Sequence, residues 1–252
     1  MDSLNGRRVL VTGGLGALGQ EIVAVLGDAG SRVAVNDIVD EPAPDALTGN
    51  GYVVGDATNN AAAVVDHAVT VLGALPDVVC CHAGVVRSAP ILEYSLEDLE
   101  YAWRVNVLAA FALAQAVSRS WVRAQLSGHL IFTGSWVQDV PWPGIAAYSS
   151  SKAALRATAK SFARELAPHG IRANVVAPGI VAAGMARRQW ETEPDYRRRA
   201  GRAIPLGALQ PARSVADMVA FLCSDRAGYA TGATFLVDGG ASLYPLDDDE
   251  IA

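Results

Sequence analysis

The chain has 252 residues, a formal net charge of −6 and 51% apolar residues against 18% charged ones, which rules out extended disorder and supplies enough material for a covered sheet. A nucleic-acid surface needs a basic footprint to displace counterions from phosphates, and a chain of pI about 5.2 does not provide it. The length suits one domain over residues 1–252, the size at which α/β sheets wrapped in helices still form a single unit.

Taken in chain order, Arg7–Thr12, Arg32–Asn36, Gly51–Val54, Asp77–Cys81, His129–Thr133, Arg172–Val176 and Thr234–Val237 are short β-branched runs that predict strands. Between them Ala17–Ala29, Asn59–Leu72, Leu96–Gln125, Tyr148–Ala167 and Val215–Cys223 have helical length and apolar spacing. Alternation of this kind builds βαβ units. The expected fold is therefore α/β, a Rossmann-type doubly wound, seven-stranded parallel sheet with helices on both faces.

Several local signals refine this outline. Arg7-Arg8 before an apolar stretch resembles the front of an export signal, but Gly13, Gly14, Gly16 and Gly19 interrupt the stretch and no cleavage pattern follows. Ser95 with Asp98 forms a variant capping box, and Pro168 with Gly170 stops the helix begun near Tyr148. The longest apolar run, Val105–Val117, is shorter than a bilayer span and carries Asn106 and Gln115, so it is expected as a core helix, with no membrane partner. Two connections are long: Asp40–Asn50, and the charged segment Ala182–Ala203, which is expected to form a lid. The tail, residues 247–252, is acidic at Asp247–Glu250. Three cysteines, two of them the adjacent Cys80 and Cys81, make no disulfide framework and fit a reducing cytoplasm.

Two groups of residues carry chemistry. Strand, glycine turn and helix start follow one another through Thr12-Gly13-Gly14-Leu15-Gly16-Ala17-Leu18-Gly19, where glycines permit close backbone approach and the helix N-terminus offers free N–H groups to a pyrophosphate. Asp37 ends the second strand, where a carboxylate can accept hydrogen bonds from the 2′- and 3′-hydroxyls of a ribose. No Arg or Lys lies within the glycine turn or directly beside Asp37. A 2′-phosphate would face a carboxylate with no cation to offset it, so NAD is expected in preference to NADP. Farther on, Tyr148 and Lys152 stand at i and i+4, one turn apart on one helix face. A phenol titrates near about 10 unperturbed, and a neighbouring ammonium favours its ionised form.

Together these pieces resemble the short-chain dehydrogenase/reductase superfamily, in its short single-domain branch, from about Arg7 to Gly240. The matched motifs are Thr12-Gly13-x-x-Gly16-x-x-Gly19, Asp37, Asp56-Ala57, Ala83-Gly84, Asn106, Ser135, Tyr148-x-x-x-Lys152, Pro178-Gly179 and Val237-Asp238-Gly239-Gly240. The resemblance implies an enzyme that interconverts an alcohol and a carbonyl by hydride exchange with a nicotinamide cofactor. In it Tyr148 would be the general acid or base and Ser135 would hydrogen-bond the substrate oxygen. Lys152 would bind the nicotinamide ribose and lower the Tyr148 pKa, while Asn106 would hold a water linking Lys152 to solvent. Gly13, Leu15, Gly16, Leu18, Gly19, Asp37, Asp56, Ala57, Cys81, Ala83, Gly84, Pro178, Gly179 and Val181 would complete the cofactor site with Tyr148 and Lys152, and no metal is implied. Relatives of this kind assemble as homotetramers through their long helices and the C-terminal strand region, and the same is expected here.

The chain departs from the pattern at Ala17, where the short branch has glycine, at Cys81-His82, where relatives commonly show two asparagines, and at Ala183, near the place of a family threonine. His82 would either replace an amide hydrogen bond near the cofactor or satisfy neighbouring backbone. Trp136, Val137, Trp142, Ile145, Met185 and Trp190, with Pro143, fall in the segments that border the substrate and suggest a hydrophobic or cyclic secondary alcohol or ketone. Arginines 187, 188, 197, 198, 199 and 202 in the lid read as a solvated face, with an anionic substrate or acidic carrier protein as the alternative. The rival functions are a 3-oxoacyl-carrier-protein reductase and a catalytically silent NAD-binding regulatory protein.

Overall fold

The computed structural model describes residues 4–40, 42 and 50–243, and the side chain of Met185 lies outside what is described. The Asp40–Asn50 connection is therefore covered only at its ends, and the acidic tail at Asp247–Glu250 falls outside. Seven strands form one sheet: β1 (Arg8–Thr12), β2 (Arg32–Asp37), β3 (Gly51–Val54), β4 (Val78–Cys81), β5 (Gly128–Thr133), β6 (Ile171–Pro178) and β7 (Thr234–Val237), in the order β3-β2-β1-β4-β5-β6-β7. Every pairing is parallel. The chain winds outward from β1 to β3, returns to β4 on the other side of β1, and winds outward again. The carboxyl ends of β1 and β4 thus diverge at a switch point, where open α/β sheets leave a crevice.

Strand periodicity sorts the core into two layers. Leu10 faces one side of β1, with Val64, Leu113, Val117 and Trp121, while Val9 and Val11 face the other, with Ile22, Leu26, Val215 and Leu222. The first side is covered by α2 (Ala57–Leu72), α4 (Ala110–Arg123) and α5 (Ala146–Leu166), the second by α1 (Ala17–Asp28) and α8 (Ala212–Cys223). Strands buried on both faces read as continuous apolar runs, which is why β4 is Val-Val-Cys-Cys. α6 (Gly184–Thr192) and α7 (Pro194–Ala203) arch over the carboxyl ends on a third apolar cluster built on Trp136, Ile180, Tyr196 and Ile204.

The expected helix Leu96–Gln125 is divided. Its first part, α3 (Leu96–Trp103), starts at Ser95, whose hydroxyl accepts from the Asp98 N–H at 3.0 Å. A π-helical turn over Arg104–Ala109 then leads into α4. The combined run of 28 residues is long enough to cross a bilayer, but Leu113, Val117 and Trp121 pack it on the sheet as a core helix. β6 runs on to Pro178, whose missing N–H is tolerated at the strand's last position, and the longest helix, α5, starts at Ala146, two residues ahead of Tyr148.

At the opposite end of the sheet His129 is buried in a polar network. Its Nε2 lies 2.9 Å from Asn174 Nδ2, an obligatory donor, and its Nδ1 lies 3.1 Å from the Leu222 carbonyl, an obligatory acceptor. Arg172 Nη2 lies 3.2 Å from the same Nδ1, so the ring sits between two obligatory donors and is kept neutral, with Nε2 accepting from Asn174. A second proton would meet the Asn174 amide and the nearby Arg172, so burial, with that cation, pushes the imidazole pKa down to about 3. The unfolded chain takes up this proton near pH 6.5, whereas the folded one refuses it until about pH 3, so stability contributed by the neutral ring is lost as pH falls through that window. The melting temperature of the His129→Asn variant is expected to fall less steeply between pH 6.5 and 4 than that of the parent, as read by differential scanning calorimetry; equal slopes would contradict this account.

Candidate active site

A cavity of about 950 Å³ runs along the carboxyl ends of the strands, from Asp56 and Ala57 after β3, past the switch point, to Trp142 and the lid helices. Its placement follows from the topology, since loops leaving neighbouring strands in opposite directions cannot close over the crevice between them.

At one end the glycine turn is shaped by contact. Gly13 has φ of +66°, and a Cβ there would lie 2.8 Å from the Ala83 Cα on the turn after β4. A Cβ at Gly19 would lie 2.3 Å from the Gly13 carbonyl oxygen, so only glycine lets α1 pack this closely on the turn. α1 begins at Ala17 with no side-chain cap on its first N–H groups, and Gly13, Gly16, Ala17 and Leu18 border the cavity. Asp37 lies opposite: its Oδ2 accepts from the Leu15 N–H at 3.1 Å and its Oδ1 from the Ile38 N–H at 2.8 Å. Each oxygen keeps a lone pair for a ribose hydroxyl. Asp56 caps α2 through Thr58 N–H at 2.8 Å and borders the same end with Ala57. This cradle, with a carboxylate for the ribose and free N–H groups for phosphate, fits a nicotinamide dinucleotide.

Midway along, Ser135, Tyr148 and Lys152 meet at the end of β5. Lys152 is 2% exposed, and its Nζ donates to the Thr133 carbonyl at 2.7 Å and stands 5.4 Å from the centre of the Tyr148 ring. Burial lowers the Lys152 pKa to about 8, which still leaves an ammonium at neutral pH. Burial raises the Tyr148 pKa, and a hydrogen bond with Ser135 counteracts part of that rise. The expected lowering of the phenol by Lys152 is thus not the net result for the chain's own groups. A protonated phenol beside a hydroxyl, with a cation one helical turn away, can deliver a proton to an oxygen placed between Ser135 and Tyr148.

The remaining wall is apolar. Trp136, Val137, Trp142, Pro143 and Ile145 line it below the lid, with Trp136 and Trp142 edge to face at 5.5 Å between ring centres. From the lid, Ala183, Gly184, Ala186, Gln189, Tyr196 and Arg199 reach the cavity.

A family model described as enoyl-(acyl carrier protein) reductase matches residues 14–242. The chain belongs to the short-chain dehydrogenase/reductase family. It is 31% identical to glucose 1-dehydrogenase of Gluconobacter oxydans (strain 621H), over 96% of this chain and 94% of that protein. It is also 31% identical to 3beta-hydroxysteroid dehydrogenase 1 of Eggerthella lenta, over 97% of each. The crystal structure of a gluconate 5-dehydrogenase from Burkholderia cenocepacia J2315 in complex with NADP and tartrate matches with a TM-score of 0.89 at 26% identity, covering 96% of this chain and 97% of that one. This family member is accordingly an oxidoreductase that binds a nicotinamide cofactor, and its relatives are dehydrogenases acting on alcohols.

Most of the residues expected at the site border the cavity: Gly13, Gly16, Leu18, Asp37, Asp56, Ala57, Cys81, Ala83, Gly84, Pro178, Gly179 and Val181 at the cofactor end, with Ser135, Tyr148 and Lys152 beyond them. Four do not. Leu15 packs on the core and contributes its N–H to Asp37, and Gly19 acts through helix packing. Trp190 packs in the apolar cluster beneath the lid, with Trp136, Trp142 and Tyr148, and its ring is directed at Gly201 of α7 and not into the cavity. Asn106, in the π turn, stands behind Gly84: its side chain accepts from the Val85 N–H at 2.8 Å and donates to the Val85 carbonyl at 3.0 Å and to Ser151 Oγ at 2.9 Å. With those bonds made, the amide serves to hold the turn after β4 against α5.

The departures also resolve into contacts. The His82 Nδ1 lies 3.0 Å from Thr133 Oγ1, so the ring pairs with a side chain of the next strand and not with adjacent backbone. Burial and the nearby Lys152 charge hold that imidazole neutral, its pKa down at about 4. Ala183 is the N-cap of α6 and offers no side-chain cap, a position at which threonine would accept from the helix N–H groups. Gln210 went unread in the sequence. Its Oε1 accepts from Gly179 N–H at 2.8 Å and its backbone bridges Val181, anchoring the lid's first strand-like residue. A lone glutamine before Pro211 carries no pattern that would have revealed it.

Proposed function

We propose that the protein is an NAD(H)-dependent oxidoreductase that interconverts a secondary alcohol and a ketone, with Tyr148 as general acid and base. The observation that carries this reading is the convergence of Ser135, Tyr148 and a buried Lys152 on the stretch of cavity between a dinucleotide cradle and an aromatic wall. A silent binding module has no need of a buried ammonium, which costs several kcal/mol to desolvate.

The bound nicotinamide supplies the acceptor or donor of hydride. Ser135 donates to the substrate oxygen and holds it beside the phenol. In the reductive direction Tyr148, kept protonated by burial, gives its proton to that oxygen; in the oxidative direction the phenolate takes the carbinol proton. Lys152 stabilises the phenolate by charge, and with one N–H committed to Thr133 it retains two for ribose hydroxyls. Asn106 positions Gly84 and Val85 beside it. Trp136, Trp142 and Ile145 favour a hydrophobic or cyclic body on the substrate.

NAD is the cofactor in this reading. Asp37 stands where the ribose is expected, and neither the glycine turn nor the residues directly beside Asp37 include a lysine or arginine for a 2′-phosphate. Cytoplasmic residence is supported by three buried, free thiols. A homotetramer is supported by two unpaired apolar faces. One runs along α3 and α4 through Leu96, Trp103, Leu108 and Phe111; the other, around the β7 edge, carries Phe221, Tyr229 and Leu236.

Tyr148→Phe is expected to lower turnover by about 10² to 10⁴-fold while the dissociation constant for NAD⁺ stays within twofold; steady-state kinetics and calorimetric titration read the two, and undiminished turnover removes Tyr148 from the chemistry. In kcat/KM the parent is expected to prefer NAD⁺ over NADP⁺ by about 100-fold or more, since a carboxylate facing a phosphate costs several kcal/mol, and Asp37→Ser to narrow that preference. Equal use of both cofactors by the parent would overturn the assignment. Light scattering of the purified chain should give four times the monomer mass, and a monomeric mass would refute the assembly.

A further inference from the structure

The charges along the cavity are segregated. Among the described residues that border it, the carboxylates are Asp37 and Asp56, both at the adenosine end, whereas Lys152 stands at the reacting centre and Arg199 at the lid; a third cation, Arg104, comes from the π turn. His82 is neutral. A protein of net charge −6 therefore turns a positive interior toward the place where a substrate must enter.

Arg199 differs from Arg187, Arg197 and Arg198 of the lid, and among the six lid arginines it is the one that borders the cavity. Arg187 pairs with Glu191 at 2.9 Å and Arg198 with Asp195 at 2.9 Å, and Arg197 donates to the carbonyls of Trp190 and Glu191. Arg199, on α7, has no carboxylate partner among the described residues; its guanidinium lies over the Trp142 ring at 5.8 Å and borders the cavity. Contact with an aromatic face leaves the planar fork of N–H donors free for a second partner. A continuous aromatic wall joins this cation to the reacting centre, because Trp136 follows Ser135 in sequence and stands 5.5 Å from Trp142. One turn before it on the same face of α7, Tyr196 also borders the cavity.

We propose that Arg199 is a specificity residue that receives a carboxylate of the substrate, so that the preferred substrates are hydroxy or oxo acids whose carbinol carbon is separated from the acid group by an apolar span lying along Trp136 and Trp142. This rests on the alcohol–ketone reading above and names the class of substrate for it. The guanidinium and carboxylate make paired, charge-assisted hydrogen bonds at the lid, and the same contact draws α7 down over the cavity. An ester of the same acid fills the aromatic wall equally but leaves the fork unpaired.

The test uses 3-hydroxybutyrate, 6-hydroxyheptanoate and 4-hydroxycyclohexanecarboxylate, each beside its methyl ester, with NAD⁺. At least one acid is expected to exceed its ester in kcat/KM by about 10-fold or more, and Arg199→Gln to bring that ratio near one. An acid-to-ester ratio near one in the parent, or a ratio that Arg199→Gln leaves unchanged, overturns the proposal. Should no compound reduce NAD⁺, the alcohol–ketone reading fails by itself, and tryptophan fluorescence of the NAD⁺-saturated protein decides the present one. Tighter binding of acid than ester, lost in Arg199→Gln, sustains it, and equal binding or none refutes it.

Discussion

A single hydrogen bond, from the Lys152 ammonium to the Thr133 carbonyl, sets the terms for much of the structure around it. A buried cation with one protein acceptor is far costlier than the same group in water, so the neighbouring elements must hold that acceptor in place. Thr133 is the last residue of β5, paired to Val176 of β6 and directly following Phe132, which pairs with Cys81 of β4. Its hydroxyl engages His82, which ties β5 to the turn after β4, and Asn106 clamps the next residues of that turn to α5, the helix that carries Lys152. The π turn in the helix before α4 is where Asn106 sits, an interruption of regular geometry at the position where it has functional use.

The same network explains why the phenol rests protonated. Tyr148 and Lys152 share a helix face, yet the ammonium lies toward the ring face and is directed at a carbonyl, so burial governs the phenol more than charge does. Proton exchange with a substrate oxygen then depends on Ser135, the one hydroxyl whose hydrogen bond to Tyr148 opposes that burial.

What could be read from the sequence follows the physics of each feature. All seven strands and their parallel direction were legible because β-branched runs alternating with amphipathic helices admit few topologies, and the glycine turn was legible because Gly13 and Gly19 answer to steric contacts that no other residue satisfies. The π turn was not, since Arg104–Ala109 contains neither proline nor glycine and keeps its apolar spacing. Nor could spacing place Trp190, whose direction is fixed by how α6 and α7 meet, or show that of six lid arginines Arg199 alone borders the cavity. His82 stood out by type, but its partner Thr133 is a neighbour only once β4 and β5 pair.

The lid helices rest on a third apolar cluster, distinct from the two that sandwich the sheet, and that cluster also takes in Trp136, Trp142 and Tyr148. The lid and the proton-handling phenol therefore share one packing unit. A lineage of such chains that alters α6 or α7 to trade one substrate for another must keep the packing around Tyr148. Divergence of substrate is then confined to small steps, each of which leaves that shared cluster filled.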